Sequence, residues 1–229
     1  MRDAIEFPSE IEQELNELCE QVNEVWENGK KRLFGFGRIG RNRLKKLLPQ
    51  INKLAQQYPD EWFLYFLLGK IYQSTRNHQE AVNHFKQGLR LRNDLVFFQI
   101  ELVRQYTENN QHAEASLCIE SALESSNDKL VLQHASLLKI AQGNLKNARD
   151  YLKKAYEQDH KDELTHKVAQ LIQLIESRTS YQPNGSEVFE QLPHLVPIRK
   201  FKGEWFLHEQ FPNPLQNPLT KSVQELLKI

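Results

Sequence analysis

The chain has 229 residues, with 30 Lys and Arg against 30 Asp and Glu, so no overall field draws it to nucleic acid or to a charged membrane. Two cysteines far apart in sequence, Cys19 and Cys118, exclude a disulfide framework and a thiolate metal centre and fit a reducing, cytoplasmic setting. The longest strongly apolar run, Trp62 to Leu68, is too short to span a bilayer, and the first fifteen residues lack the basic start and apolar core of a signal peptide.

Ser9 followed by Glu12, just after Pro8, is a capping-box pattern that opens a first helix. Ile11, Leu15, Leu18, Cys19, Val22, Val25 and Trp26 follow at helical spacing. Seven glutamates lie between Glu10 and Glu27, with no Lys or Arg among them. Asn28-Gly29 stops or bends this helix. A basic, glycine-rich connector comes next, and a second helix is expected from about Asn42 to Gln57, with Leu44, Leu47, Leu48, Ile51 and Leu54 on one side. Pro49 lies inside it, so the helix either kinks or starts in earnest there.

Three helix pairs are then predicted. They are Trp62–Arg76 with Gln79–Leu91, Val96–Glu108 with His112–Ser125, and Leu130–Gln142 with Leu145–Gln158. The first two repeat each other at a spacing of 34 residues. Tyr65, Leu68, Gly69, Tyr72, Ala81, Phe85 and Gly88 are answered by Gln99, Leu102, Val103, Tyr106, Ala115, Ile119 and Ala122. The third pair follows after one deletion, with Leu132, Ala135, Gly143, Ala148, Leu152 and Ala155 as its fixed points. A period of this length means stacked units, each too small to bury its own apolar face. Leu164 to Ile175 reads as a closing helix, polar on its outer side.

The string Tyr65-x2-Leu68-Gly69-x2-Tyr72, followed by Ala81-x3-Phe85, resembles the tetratricopeptide repeat (TPR) family. Tyr65 stands for the usual Trp, Val103 for the glycine of the second unit, and the third unit lacks the Leu-Gly pair. The resemblance implies an all-α, TPR-like α-solenoid, a superhelix of antiparallel helix pairs, continued here by a Pro-rich, aromatic C-terminal tail. Residues 1–60 are expected to form a helical pair with its basic connector, residues 61–178 the repeats and capping helix, and residues 179–229 the tail. Within the tail, Ile198–Phe201 and Trp205–His208 flank Lys202-Gly203-Glu204 as a small hairpin would. Thr220 to Ile229 reads as a short amphipathic helix.

The resemblance also implies function. In such repeats the first helices line a concave groove. Here its stripe is Phe63, Phe66, Lys70 and Gln73, then Phe97, Ile100, Arg104 and Thr107, then Leu130, Gln133, Leu137 and Ile140. Chaperone-binding members grip a C-terminal carboxylate with Lys and Asn; Leu67 and Glu101 stand where those Asn would be, so that clamp is absent. The expectation is a non-enzymatic scaffold that binds a partner helix or extended peptide on Phe63, Phe66, Lys70, Phe97, Ile100, Arg104, Gln133 and Leu137. The chain's own tail, around Phe201 to Phe211, is an equally suitable occupant.

A second reading rests on the connector. Lys30, Lys31, Arg32, Arg38, Arg41, Arg43, Lys45 and Lys46 fall within 17 residues with no acid, and Phe34 and Phe36 stand among them. Such a segment can neutralise phosphates and stack on bases. The opposite charges so near in sequence favour instead its pairing with the glutamates of the first helix, in the same chain or in a dimer partner, and it lacks the long apolar face of a lipid-binding helix. Gly35, Gly37 and Gly40 spell G-x-G-x-x-G, like the dinucleotide turn of glyceraldehyde-3-phosphate dehydrogenase. That chemistry needs a buried strand before the turn and an acid about 20 residues later, whereas charged residues precede it and no Asp or Glu occurs between Glu27 and Asp60. No cofactor is therefore expected. The eight histidines show no ligand spacing, and no nucleophile–base set is recognisable.

Overall fold

The structure, a computed structural model, describes residues 5–30, 38–177, 194–199 and 205–210, together with Gln224 and Leu227; for residues 26–30, residue 38 and the stretches 194–199 and 205–210 it describes the backbone alone. Nine α-helices stand among these residues. They are α1 (Glu12–Lys30), α2 (Arg38–Gln57), α3 (Trp62–Ser74), α4 (His78–Leu91), α5 (Val96–Glu108), α6 (His112–Ser125), α7 (Lys129–Ala141), α8 (Leu145–Gln158) and α9 (Glu163–Ser177). Pro49 lies within α2, which continues on both sides of it. Two strands, β1 (His194–Arg199) and β2 (Trp205–Gln210), pair antiparallel, with Arg199 opposite Trp205. This hairpin starts earlier and runs longer than the sequence signal at Ile198. The remaining tail and residues 31–37, which include Lys31, Arg32 and the glycines of the G-x-G-x-x-G string up to Gly37, lie outside the described residues.

α3 packs on α4, α5 on α6 and α7 on α8, and each pair stacks on the next. The fold is an all-α solenoid with α3, α5, α7 and α9 as its inner row. Close crossing is made possible by small residues. A Cβ placed on Gly69 would stand 2.3 Å from the Phe85 ring, and one on Gly88 would stand 2.2 Å from the Phe98 ring. Only hydrogen fits at either point. Ala81, Ala115, Ala122, Ala148 and Ala155 are likewise buried between helices.

The turn inside each pair repeats with the sequence period. Arg76, Asn110 and Gly143 all have positive φ, at 61°, 58° and 75°. The next residue in each turn donates its N–H back across the turn, Asn77 to the Tyr72 carbonyl (2.9 Å), Gln111 to Tyr106 (2.8 Å) and Asn144 to Lys139 (2.8 Å). This is the Schellman closure, which satisfies the last carbonyls of a helix and reverses the chain. The starts of the first helices are capped in places by acids. Glu61 accepts from the Phe63 N–H, and Asp128 accepts from Leu130.

Candidate functional site

The stripe read from the sequence lies along the inner row. Its aromatic end is contributed by two consecutive units. The Phe63 and Phe66 rings stack at 5.8 Å, Phe66 meets Phe97 edge-on at 5.3 Å, and Trp62 reaches Phe97 at 5.7 Å. Phe7, from the chain segment before α1, covers Phe63 at 5.2 Å. Such ring pairs add roughly 0.5–1.5 kcal/mol each beyond area burial.

Most of the stripe is interior. Phe63, Phe66, Lys70 and Leu137 are fully buried, and Ile100, Arg104 and Gln133 are 1% exposed. Phe97 alone among the eight predicted groove residues is partly exposed. It forms, with Ile100, part of the lining of a pocket of about 540 Å³ that opens to solvent. Trp62, Val96, Leu130 and Val131 supply further apolar lining, and Arg92, Asp94, Asp128 and Glu6 the polar part. Arg92 is held by Asp94 through two hydrogen bonds of 2.8 and 2.7 Å. The pocket sits where the first helices of successive units begin. Sequence reading missed its rim because the residues come from the loops ahead of α5 and α7 and from the segment before α1.

The polar members of the stripe are engaged with one another. Lys70 Nζ donates to Glu101 Oε1 (2.9 Å) and to Gln73 Oε1 (2.6 Å), while Gln73 Nε2 donates to Glu101 Oε2 (3.0 Å). Burial pulls the Lys70 ammonium down to about 8, against the pull of Glu101. Burial also desolvates the Glu101 carboxylate, but Lys70 and Arg104 outweigh that and bring it to about 2. The pair is thus ionised at neutral pH. Lys70 is thereby joined to a carboxylate of the neighbouring unit. Glu101 stands 31 residues after Lys70, one helical turn short of the repeat step.

Gln133 likewise has internal partners. It bonds to Thr165 Oγ1 at 2.8 Å and to Asp162, whose carboxylate also accepts from the Thr165 N–H at 2.9 Å. Lys129 reaches Asp159 (2.6 Å) and Asp162 (2.7 Å). This cluster fastens α9 to α7. Gln133 is therefore placed at the seam between two helices.

The basic connector is described in part. Arg43, Lys45 and Lys46 are exposed on α2 and Arg41 partly so, while Leu44 is buried on its inner side. Arg43 pairs with Glu24 of α1 at 2.9 Å, the intramolecular pairing that the opposite charges of the two helices favour. The side chains of Lys30 and Arg38 lie outside the described residues. Among the described residues no group of three or more His, Cys, Asp or Glu is arranged to hold a metal ion, and no helix is long and apolar enough to cross a membrane.

Paired helices in tandem, with a repeated turn and a repeated inner stripe, define the class: an α-solenoid of stacked helical hairpins. Residues 64–95 match the model of the tetratricopeptide repeat, and the chain carries that repeat there. Among solved structures it is similar to PilW, a widely conserved type IV pilus biogenesis factor, at 14% identity over 68% of this chain and 70% of that one, with a TM-score of 0.53. It is also similar to the APC/C hetero-tetramer Cut9-Hcn1 (16% identity, 70% of this chain and 32% of that one, TM-score 0.52). A third is the MamA RS-1 ArsTM double mutant (16% identity, 75% and 93%, TM-score 0.51). At these identities the likeness is one of fold. No curated protein matches the sequence.

Proposed function

We propose that the chain is a non-enzymatic scaffold that binds a protein partner, as a helix or an extended peptide, on the inner face of α3, α5 and α7. Residues 61–178 carry the binding face in this reading, residues 1–60 close its first end, and residues 179–229 form an appendage. The observation that carries it is the aromatic and aliphatic stripe that recurs with the repeat and surfaces at Phe97, on the lining of a pocket of about 540 Å³. Tandem repeats of this kind present such faces for protein contacts, while fold alone names no partner. Two free cysteines fit a cytoplasmic setting.

The test is affinity capture with the full chain and with a Phe97→Ser variant, washed at low and at high salt. Phe66 is a poor site for such a test, because its burial among Phe63, Phe97 and Phe98 makes its loss a folding defect of about 3–5 kcal/mol. Phe97→Ser is expected to lose the partner that the unaltered chain retains at high salt, with helicity by circular dichroism unchanged. A partner held equally by both forms overturns the assignment. Nucleic acid captured at low salt and released at high salt would move the function to Arg41, Arg43 and Lys45.

A further inference from the structure

α5 has neighbours on three sides. α4 and α6 stand behind it. α3 joins it through Lys70–Glu101 and Phe66–Phe97, and α7 lies along it. The fourth side faces away from the outer layer, and in a two-layer array that side meets water. Yet Ile100, Arg104 and Thr107, which follow one another along that side, are at most 1% exposed. Phe66 on α3 and Leu137 on α7 are fully buried as well. A charged side chain such as Arg104 rarely reaches that burial without other groups packed over it.

The course of the chain names the occupant. α9 ends at Ser177, packed on α7 and α8 at the far end of the array. The next described backbone, β1, begins at His194 and lies against α1 at the near end. Sixteen residues separate Ser177 from His194, a reach of about 55–60 Å when extended. From the α1–α2 pair to α9 the array spans four unit steps of about 8–10 Å each, so the return along its length is well within reach. Further on, Leu227 is 5% exposed and belongs to the same continuous core as Phe66 and Leu137. The C-terminal part of the chain therefore meets the helical array at two described points, β1 and Leu227. Its sequence supplies the apolar groups that such a face demands, among them Phe201, Trp205, Phe206 and Phe211.

We infer that the chain beyond α9, anchored by its hairpin and by Leu227, is an intramolecular ligand of the inner face, so that a partner gains the face by displacing it. This rests on the reading of that face as the binding face and adds its regulation. A partner's apparent affinity is then reduced by the fraction of molecules in which the segment is bound.

The test uses the full chain and no partner. A nitroxide spin label is attached to Gln224→Cys, with Cys118 replaced by Ser and the buried Cys19 left in place. Amide signals of α3, α5 and α7 are expected to lose intensity, while those of α4, α6 and α8 keep it. Adding Leu227→Arg is expected to restore the lost signals without loss of spectral dispersion. Broadening confined to the outer helices, or none on the inner row, overturns the occupancy. Broadening that survives Leu227→Arg overturns Leu227 as the anchor. Because this readout needs no partner, it fails separately from the Phe97→Ser capture: an uncovered face that binds and a covered face that does not give different pairs of results.

Discussion

At the scale of single residues, the Lys70–Glu101 pair decides most. Both groups are fully withdrawn from water, and an ion pair so placed is strongly destabilised when one partner alone is removed, by about 3–5 kcal/mol. Glu101→Gln is therefore expected to lower stability by that amount in urea denaturation. Lys70→Met with Glu101→Leu is expected to recover most of it, since apolar groups of similar volume cost nothing to bury. Additive losses in the double variant would show that the two residues do not act as a pair. Gln73 belongs to the same unit, because its amide holds the second carboxylate oxygen.

Among the elements, the turns inside the helix pairs show how the backbone outlasts the sequence. Arg76, Asn110 and Gly143 share one left-handed conformation, which costs a residue with a Cβ roughly 1–2 kcal/mol. Gly143→Ala is expected to lower stability by about 1 kcal/mol, and Asn110→Gly to change it by less than about 0.5 kcal/mol because Asn tolerates the region. The measurement is the shift of the denaturation midpoint at unchanged slope. A neutral Gly143→Ala would remove the conformational argument. These turns also mark what was legible in advance. The ends of α5, α6 and α8 follow directly from the period, from Gly143 and from the polar residues between helices. α2 begins earlier than its apolar pattern does, at Arg38 rather than Asn42, because no packing residue is needed in its first turn. The burial of the stripe was not legible, since alternation within a helix states which side is apolar and not what lies over it. The partner of Lys70 was hidden for a related reason: a repeat alignment compares equivalent positions, and Glu101 is equivalent to Leu67.

For the whole molecule, the inner charges predict a response to acid. Glu101 has a folded value of about 2 against 4.5 for the free group. The stability it contributes is present in full above pH 4.5 and is lost as pH falls through about 2. Lys70, drawn down to about 8 from 10.5, gives up its own contribution as pH falls from 10.5 through 8 and is unchanged below. The groups around the pair are Gln73, Arg104 and Glu108. The melting temperature of the unaltered protein is expected to fall more steeply between pH 4.5 and 2 than that of Glu101→Gln. Parallel curves would mean that Glu101 keeps an ordinary carboxylate value in the folded chain.

The same ion pair sets how this array is able to change in length. Lys70 belongs to one unit and Glu101 to the next, and 34 residues before Glu101 stands Leu67. A tandem copy of the unit inserted after α4 would set the first Lys70 against a leucine, leaving its enclosed charge with the neutral Gln73 of its own helix and no carboxylate from the next unit. Repeat proteins grow by duplicating segments, and at this junction that route is closed: the two units are a matched set, no longer interchangeable bricks.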